Sequence, residues 1–139
     1  MAQLADKPSN ADALIDEMVQ RSRSAQFNVG KSDFSKRCDA LKAAATKIRS
    51  QSQAILDANA QDVSQATANG ISEAFIDRLT LTDARIESMA SGLEAMTKLP
   101  DPIGTELARW QQPSGLDIAR ISTPLGVIGI IYESRPNVT

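Results

Sequence analysis

The residues best placed to do chemistry are Glu133, Ser134, Arg135, Pro136 and Asn137, which follow a glycine-punctuated apolar run, Val-Ile-Gly-Ile-Ile-Tyr, at 127–132. β-Branched side chains dominate that run, so it reads as a strand buried on both faces rather than an amphipathic edge. The polar cluster then forms a loop leaving the strand's carboxyl end, which is where α/β proteins bind their ligands. Composition bounds what such a site can do. Histidine is absent, which excludes serine–histidine and cysteine–histidine catalysis within this chain, and the usual histidine-containing zinc sites with it. Acid–base work falls to carboxylates, lysine or tyrosine.

Two other features invite a chemical reading and do not carry one. Cys38, the single cysteine, lies on an apolar helical stripe, where a cysteine behaves as a small buried hydrophobe. A reactive thiolate needs an electropositive, partly open site, usually near a helix N-terminus, and Cys38 is more than one turn into its helix. Gly126 and Gly129 have the spacing Gly-x-x-Gly, short of the dinucleotide fingerprint Gly-x-Gly-x-x-Gly, and they stand before or within the strand instead of after it. They read as permitting close packing.

The elements that must position the loop are mainly helical. Ser9-Asn-Ala-Asp12 has a capping-box shape, and Leu14, Ile15, Met18 and Val19 fall on one face of a helix running to about Gln26, which Gly30 stops. Ser32 or Asp33 opens a second helix with Phe34, Cys38, Leu41, Ala45 and Ile48 on a single stripe. The helical pattern continues from Gln51 to Ala68, with Asp57-Ala-Asn59 as a candidate break, and Asn69-Gly70 ends it. Ser72 or Glu73 begins a short helix. Thr82 caps another in which Ile86, Met89, Ala90, Leu93 and Met96 recur as core filler rather than a cofactor pocket. Leu99-Pro-Asp-Pro102 closes the helical part.

From there the period changes. Runs at 106–112 and 116–122 predict two strands joined at Pro113-Ser-Gly115, with the only tryptophan, Trp110, packing across the ribbon. A lone two-stranded ribbon is marginal in water, so a partner, such as a second subunit, is expected. The strand at 127–132 has no parallel neighbour. A parallel crossover takes a dozen or more residues, and the expectation is therefore that the chain is the front part of a longer protein. The expected division is 1–103 as a helical part, 104–123 as the hairpin and 124–139 as the first strand of a parallel sheet with the start of its loop.

Bulk properties agree with a folded domain: 139 residues, 42% apolar and 23% charged, are in the soluble globular range. The formal net charge of −2 comes with scattered basic residues, not the basic patch of a nucleic-acid binder. No apolar run nears the ~20 residues that cross a bilayer, the N-terminus lacks signal-peptide blocks, and one cysteine suits a reducing compartment. No nucleic-acid or membrane partner is expected, and the predicted location is cytoplasmic.

Residues 124–139, Pro-Leu-Gly-Val-Ile-Gly-Ile-Ile-Tyr-Glu-Ser-Arg-Pro-Asn-Val-Thr, resemble the signature segment of the γ-glutamyl phosphate reductase family, within the aldehyde dehydrogenase superfamily. Asp57-Ala-Asn-Ala-Gln-Asp62, Asn69-Gly-Ile-Ser-Glu73, Asp77-Arg-Leu79 and Leu99-Pro-Asp-Pro102 resemble the same family in the same order. The resemblance runs from about residue 10 to the end and covers the N-terminal third of a family member. It implies an α/β fold with a Rossmann-type cofactor domain. The implied reaction belongs to proline biosynthesis: a cysteine thiolate attacks L-glutamyl 5-phosphate and expels phosphate, and the thioester is reduced with NADPH to L-glutamate 5-semialdehyde. A homo-oligomer built partly through the hairpin is also implied.

Carried over residue by residue, Asn137 matches the asparagine whose side-chain amide helps form the superfamily's oxyanion hole. Such a donor is worth ~2.7–4 kcal/mol of barrier. Glu133, Ser134, Arg135 and Pro136 match the segment bordering the nicotinamide. Many superfamily members read Pro-Trp-Asn where this chain reads Arg135-Pro136-Asn137, so the neighbours carry over loosely. Arg135 suits an anionic substrate through paired donors, and equally a surface ion pair. The family's nucleophilic cysteine lies far downstream of this segment and Cys38 does not match it, so these 139 residues alone are expected to be inactive. A reading from another class is a stand-alone helical interaction module that pairs through its hairpin and terminal strand.

Overall fold

The computed structural model describes residues 10–132 and 135–137. It is mostly helical, with one two-stranded antiparallel sheet among the described residues. Internal contacts divide it into two units, residues 1–32 with 102–128 and residues 33–101 with 129–139.

In the first unit, α1 spans Asn10–Lys31. Gly30, expected from sequence to stop this helix, does not. It lies within the last turn, where the Pro124 ring stands 3.6 Å from the place a Cβ would occupy. The helix ends one residue later, where Ser32 turns back on Val29 through its amide at 3.2 Å and its hydroxyl at 2.7 Å. The apolar stripe of α1 is open to solvent, with Leu14, Ile15 and Met18 all more than half exposed.

The expected hairpin is present. Strands β1 (Glu106–Gln111) and β2 (Asp117–Ile121) pair with Trp110 opposite Ile118 and Arg109 opposite Ala119. The turn is closed by Gly115 donating to the Gln112 carbonyl at 2.9 Å and Gln112 donating to that of Leu116 at 2.8 Å. Gly115 has φ +88°, the left-handed step that lets a four-residue turn feed a right-twisted ribbon. At the open end Ser122 exchanges backbone bonds with Gly104 and Thr105 and its hydroxyl donates to the Pro102 carbonyl. Arg109 bridges Glu106 at 2.8 Å and Asp117 at 2.5 Å.

The second unit is built on α2 (Phe34–Ser50), α3 (Ser52–Ala68), α4 (Glu73–Leu79) and α5 (Asp83–Met96). Asp33 starts α2, its carboxylate accepting from the Lys36 amide at 2.8 Å. Thr82 starts α5 by accepting from the Arg85 amide at 3.2 Å. Each cap satisfies one of the orphan donors of a first helical turn. The end of α3 is a Schellman motif, with Gly70 bonding Thr67 and Ile71 bonding Ala66, and the φ of +73° at Gly70 is why glycine stands there.

Helices α2 and α5 run antiparallel, as Cys38 near the start of one reaches Thr97 after the end of the other, while Arg49 meets Glu87. Their shared seam is the core: Ala45 and Ala90 are wholly buried, and Ile86 and Cys38 nearly so. The predicted stripe of α2 faces this seam. In α5 Met96 does not, being 55% exposed. Arg49 fastens the seam at its edge, bonding Glu87 at 2.7 Å and Glu94 at 2.5 Å. These bonds, with one from Ser91, hold the Glu87 carboxyl down at about 2. Arg49 likewise lowers Glu94.

One expectation fails here, and another is left without its ladder. Asp57-Ala-Asn59 is no break, because α3 is continuous through it. The interruption lies at Gln51, whose amide is shared between the Lys47 and Ile48 carbonyls. The run 127–132 forms no strand, nor is it buried on both faces, with Ile128 65% and Ile131 103% exposed. A strand exists only as one side of a hydrogen-bonded ladder, and no segment among the described residues pairs with this one.

Candidate functional site

The site is organised by the link between α4 and α5. Asn59, in the middle of α3, is 7% exposed and makes two hydrogen bonds to this link. Its amide donates to the Leu79 carbonyl at 2.8 Å, and its oxygen accepts from the Leu81 amide at 2.7 Å. A buried amide so placed supplies to the loop what a neighbouring strand would otherwise supply. From the other side the Arg85 guanidinium donates to the carbonyls of Asp77 and Thr80 and, at 3.1 Å, to the Asp77 carboxylate. Thr80 closes back on the Ile76 carbonyl through its hydroxyl at 2.7 Å.

Against this braced link lies the segment 135–137. Arg135 and Asn137 are exposed and Pro136 is half-buried. A cleft of about 470 Å³ is lined by Arg78, Thr80, Leu81 and Arg85 together with Arg135 and Asn137. A second cleft, about 650 Å³, lies over the α2–α5 seam, where Leu41, Met89 and Leu93 give it an apolar wall and Pro136 and Asn137 its rim. Asn137 thus stands where a cationic cleft and an apolar one adjoin, and its side chain can donate or accept in either without titrating.

Of the residues expected at the site, Arg135, Pro136 and Asn137 are brought together on these clefts, while Glu133 and Ser134 lie outside the described residues. Cys38 is elsewhere, buried in the seam with its sulfur 3.8 Å from the Thr97 carbonyl. Asn59 and Arg85 brace the link and Arg78 lines the cleft; none was assigned a functional role from sequence, although Asn59 and Arg78 stand in motifs that carried the resemblance. A polar residue interrupting the apolar spacing of a helix was the available signal for Asn59.

A dinucleotide-binding turn joins the end of a strand to the start of a helix, and Gly126 and Gly129 stand at no such junction among the described residues. Among them no group of histidine, cysteine, aspartate or glutamate could hold a metal, and no helix is long and apolar enough to cross a membrane.

No protein-family model matches the chain. Individual proteins do. The γ-glutamyl phosphate reductase of Paramagnetospirillum magneticum is 50% identical over 131 residues, which is 94% of this chain and 31% of that protein. The enzyme of the same name from Rhizorhabdus wittichii is 49% identical over 134 residues, 96% of this chain and 31% of its own length. Among solved structures, the γ-glutamyl phosphate reductase of Thermotoga maritima superposes with a TM-score of 0.84 at 39% identity, covering 89% of this chain and 30% of that one. The Saccharomyces cerevisiae enzyme gives 0.82 at 26% identity, covering 95% and 33%. The chain spans about a third of the length of the relatives it matches. Over that stretch, the chain is similar in both sequence and fold to proteins named γ-glutamyl phosphate reductase.

Proposed function

We propose that the polypeptide carrying these residues catalyses the NADPH-dependent reduction of L-glutamyl 5-phosphate to L-glutamate 5-semialdehyde and phosphate, a step of proline biosynthesis in the cytoplasm. The observation that carries this reading is the match to reductases of that name along nearly the whole chain, in sequence and in fold. Asn137 is the oxyanion donor: its amide faces the acyl carbonyl and strengthens its hydrogen bond as the oxygen becomes negative in each tetrahedral intermediate. Its exposed position on two clefts, beside the braced 77–81 link, supports that role.

The attacking thiolate is not Cys38, which is buried among α2 and α5. It belongs to the part of the relatives' length that this chain does not span, and so does the dinucleotide site that Glu133, Ser134, Arg135 and Pro136 border. On the same reading 127–132 pairs as the first strand of a parallel, Rossmann-type sheet once that remaining length is present. The ribbon at 104–123 then serves in a homo-oligomer, and residues 1–103 are the helical part of the cofactor-binding domain.

The test is NADPH oxidation by the complete polypeptide with L-glutamyl 5-phosphate, compared between the parent and Asn137→Ala. Turnover is expected to fall by about 10²–10³ on removing the donor, with little change in KM. No turnover in the parent overturns the reductase reading, and equal turnover in the variant overturns the role of Asn137. The 139-residue chain alone is expected to show no turnover.

A further inference from the structure

We propose that the cleft bordered by Arg78, Arg135 and Asn137 is a phosphate-binding site. Arg78 stands in the last turn of α4, exposed, with its guanidinium 5.6 Å from the Phe75 ring centre. Arg135 is exposed and lines the same cleft. Among the described residues neither is paired with a carboxylate. Asp77, the one acidic residue lining the cleft, is already engaged by Arg85, which is itself spent on holding the loop. Three arginines against one aspartate leave Arg78 and Arg135, with the neutral Asn137, lining the same cleft.

That donor set suits a tetrahedral oxyanion. Planar guanidiniums present paired N–H donors that match phosphate oxygens. Two of them lining one cleft, together with the Asn137 amide, offer more donors than the two oxygens of a carboxylate can take. The cleft, at about 470 Å³, is within the ~300–1,000 Å³ typical of small-molecule sites, so a phosphate attached to a small metabolite fits as well as the free ion. One wall is pre-organised, since Asn59 and Arg85 fix the link that carries Thr80 and Leu81 beside Arg78. Pre-organisation lowers the ordering cost of binding.

This inference rests on the reductase reading only for the source of the phosphate, which is either the acyl-phosphate substrate with its released phosphate or a phosphate of the dinucleotide. The experiment is calorimetric titration of inorganic phosphate into the complete polypeptide without cofactor, at fixed ionic strength, for the parent, Arg78→Gln and Arg135→Gln. Each variant is expected to weaken phosphate binding by about tenfold or more, the scale of a lost charge-assisted hydrogen bond. Arg78→Lys is expected to recover part of the loss. Both arginines are exposed, so an unchanged circular-dichroism spectrum and melting midpoint are expected of both variants. A parallel titration with NADP⁺ separates the sources: unchanged NADP⁺ affinity supports the acyl-phosphate end, and an equal loss there supports the dinucleotide. Absence of phosphate binding in the parent, or equal affinity in parent and variants, overturns the proposal. Reductase turnover persisting in a parent that binds no phosphate at this cleft overturns this inference while leaving the functional reading intact.

Discussion

Asn59 and Leu81, on different elements, meet through a 2.7 Å hydrogen bond in which the loop amide donates to the buried side-chain oxygen. The same side chain donates to the Leu79 carbonyl, so a single residue of α3 satisfies two backbone groups of the turn into α5. Truncation would strand both at once. Asn59→Ala is expected to destabilise the chain by about 2 kcal/mol, the order of cost for leaving partly buried backbone groups unpaired, read as a lower urea midpoint at unchanged slope. Asn59→Asp keeps the acceptor but sets a carboxylate oxygen against the Leu79 carbonyl, and it should be destabilising too. A midpoint within error of the parent for both variants would show that water replaces the clamp.

Arg49 couples the seam to pH. Glu87 titrates at about 2 and Glu94 is lowered as well, from an ordinary 4.5, chiefly because Arg49 donates to both. A carboxyl held lower in the folded than in the unfolded chain contributes stability that is fully present above its ordinary value and lost as the pH falls through the folded one. The stability of the α2–α5 pair should therefore be flat above 4.5 and decline from there toward about 2. In Glu87→Gln that decline should be shallower, and salt should weaken the parent's advantage because the bridge is partly exposed. Urea midpoints measured across this range check it. Parallel profiles for parent and variant would mean the bridge contributes nothing.

What could be read from the sequence was whatever the local pattern decides. The stripe from Phe34 to Ile48 contrasts with a strongly basic opposite face, so α2 was legible together with its inward side. Pro113, Ser114 and Gly115 specify a turn by themselves, which made the hairpin legible. Gly30 was misread because a glycine near a helix end is usually a stop, whereas α1 runs on to Lys31 and Ser32 turns back on Val29. Asn59 was read as a break because its partners lie 20 and 22 residues further on, beyond any periodicity window. Residues 127–132 have the composition of a buried strand, but composition cannot supply a ladder. Of the site, Arg135 and Asn137 were legible through resemblance, whereas Arg78 and Arg85 acquire meaning only once the 77–81 link has folded back.

Cys38 tests the separation of packing from chemistry. Its side chain is 8% exposed in the α2–α5 seam, in contact with the Thr97 carbonyl. A thiol-specific reagent should label it slowly in native buffer, at a rate that follows unfolding, and rapidly in urea. In the complete polypeptide Cys38→Ala should retain the parent's reductase turnover. Rapid native labelling together with lost turnover would return Cys38 to the catalytic machinery and remove the need for any other thiolate.

The exposed apolar surface sets the behaviour of the 139-residue chain in isolation. Leu125, Ile128 and Ile131 are 90%, 65% and 103% exposed, three large aliphatic side chains within seven residues of backbone that has no ladder partner among the described residues. Unpaired apolar strands are templates for pairing with another chain, and contiguous patches of this kind mark association surfaces in soluble proteins. Sedimentation velocity should show a weight-average size that rises with concentration. Ile128→Lys with Ile131→Lys should shift the population toward monomer, since charge on such an edge opposes pairing. Far-UV circular dichroism should be unchanged in that variant, because neither side chain contributes to the α2–α5 core. A monodisperse monomer for the parent would mean that 127–132 is covered by residues of its own chain, and a concentration dependence unaffected by the two lysines would move the contact to the open face of α1, where Leu14, Ile15 and Met18 are exposed.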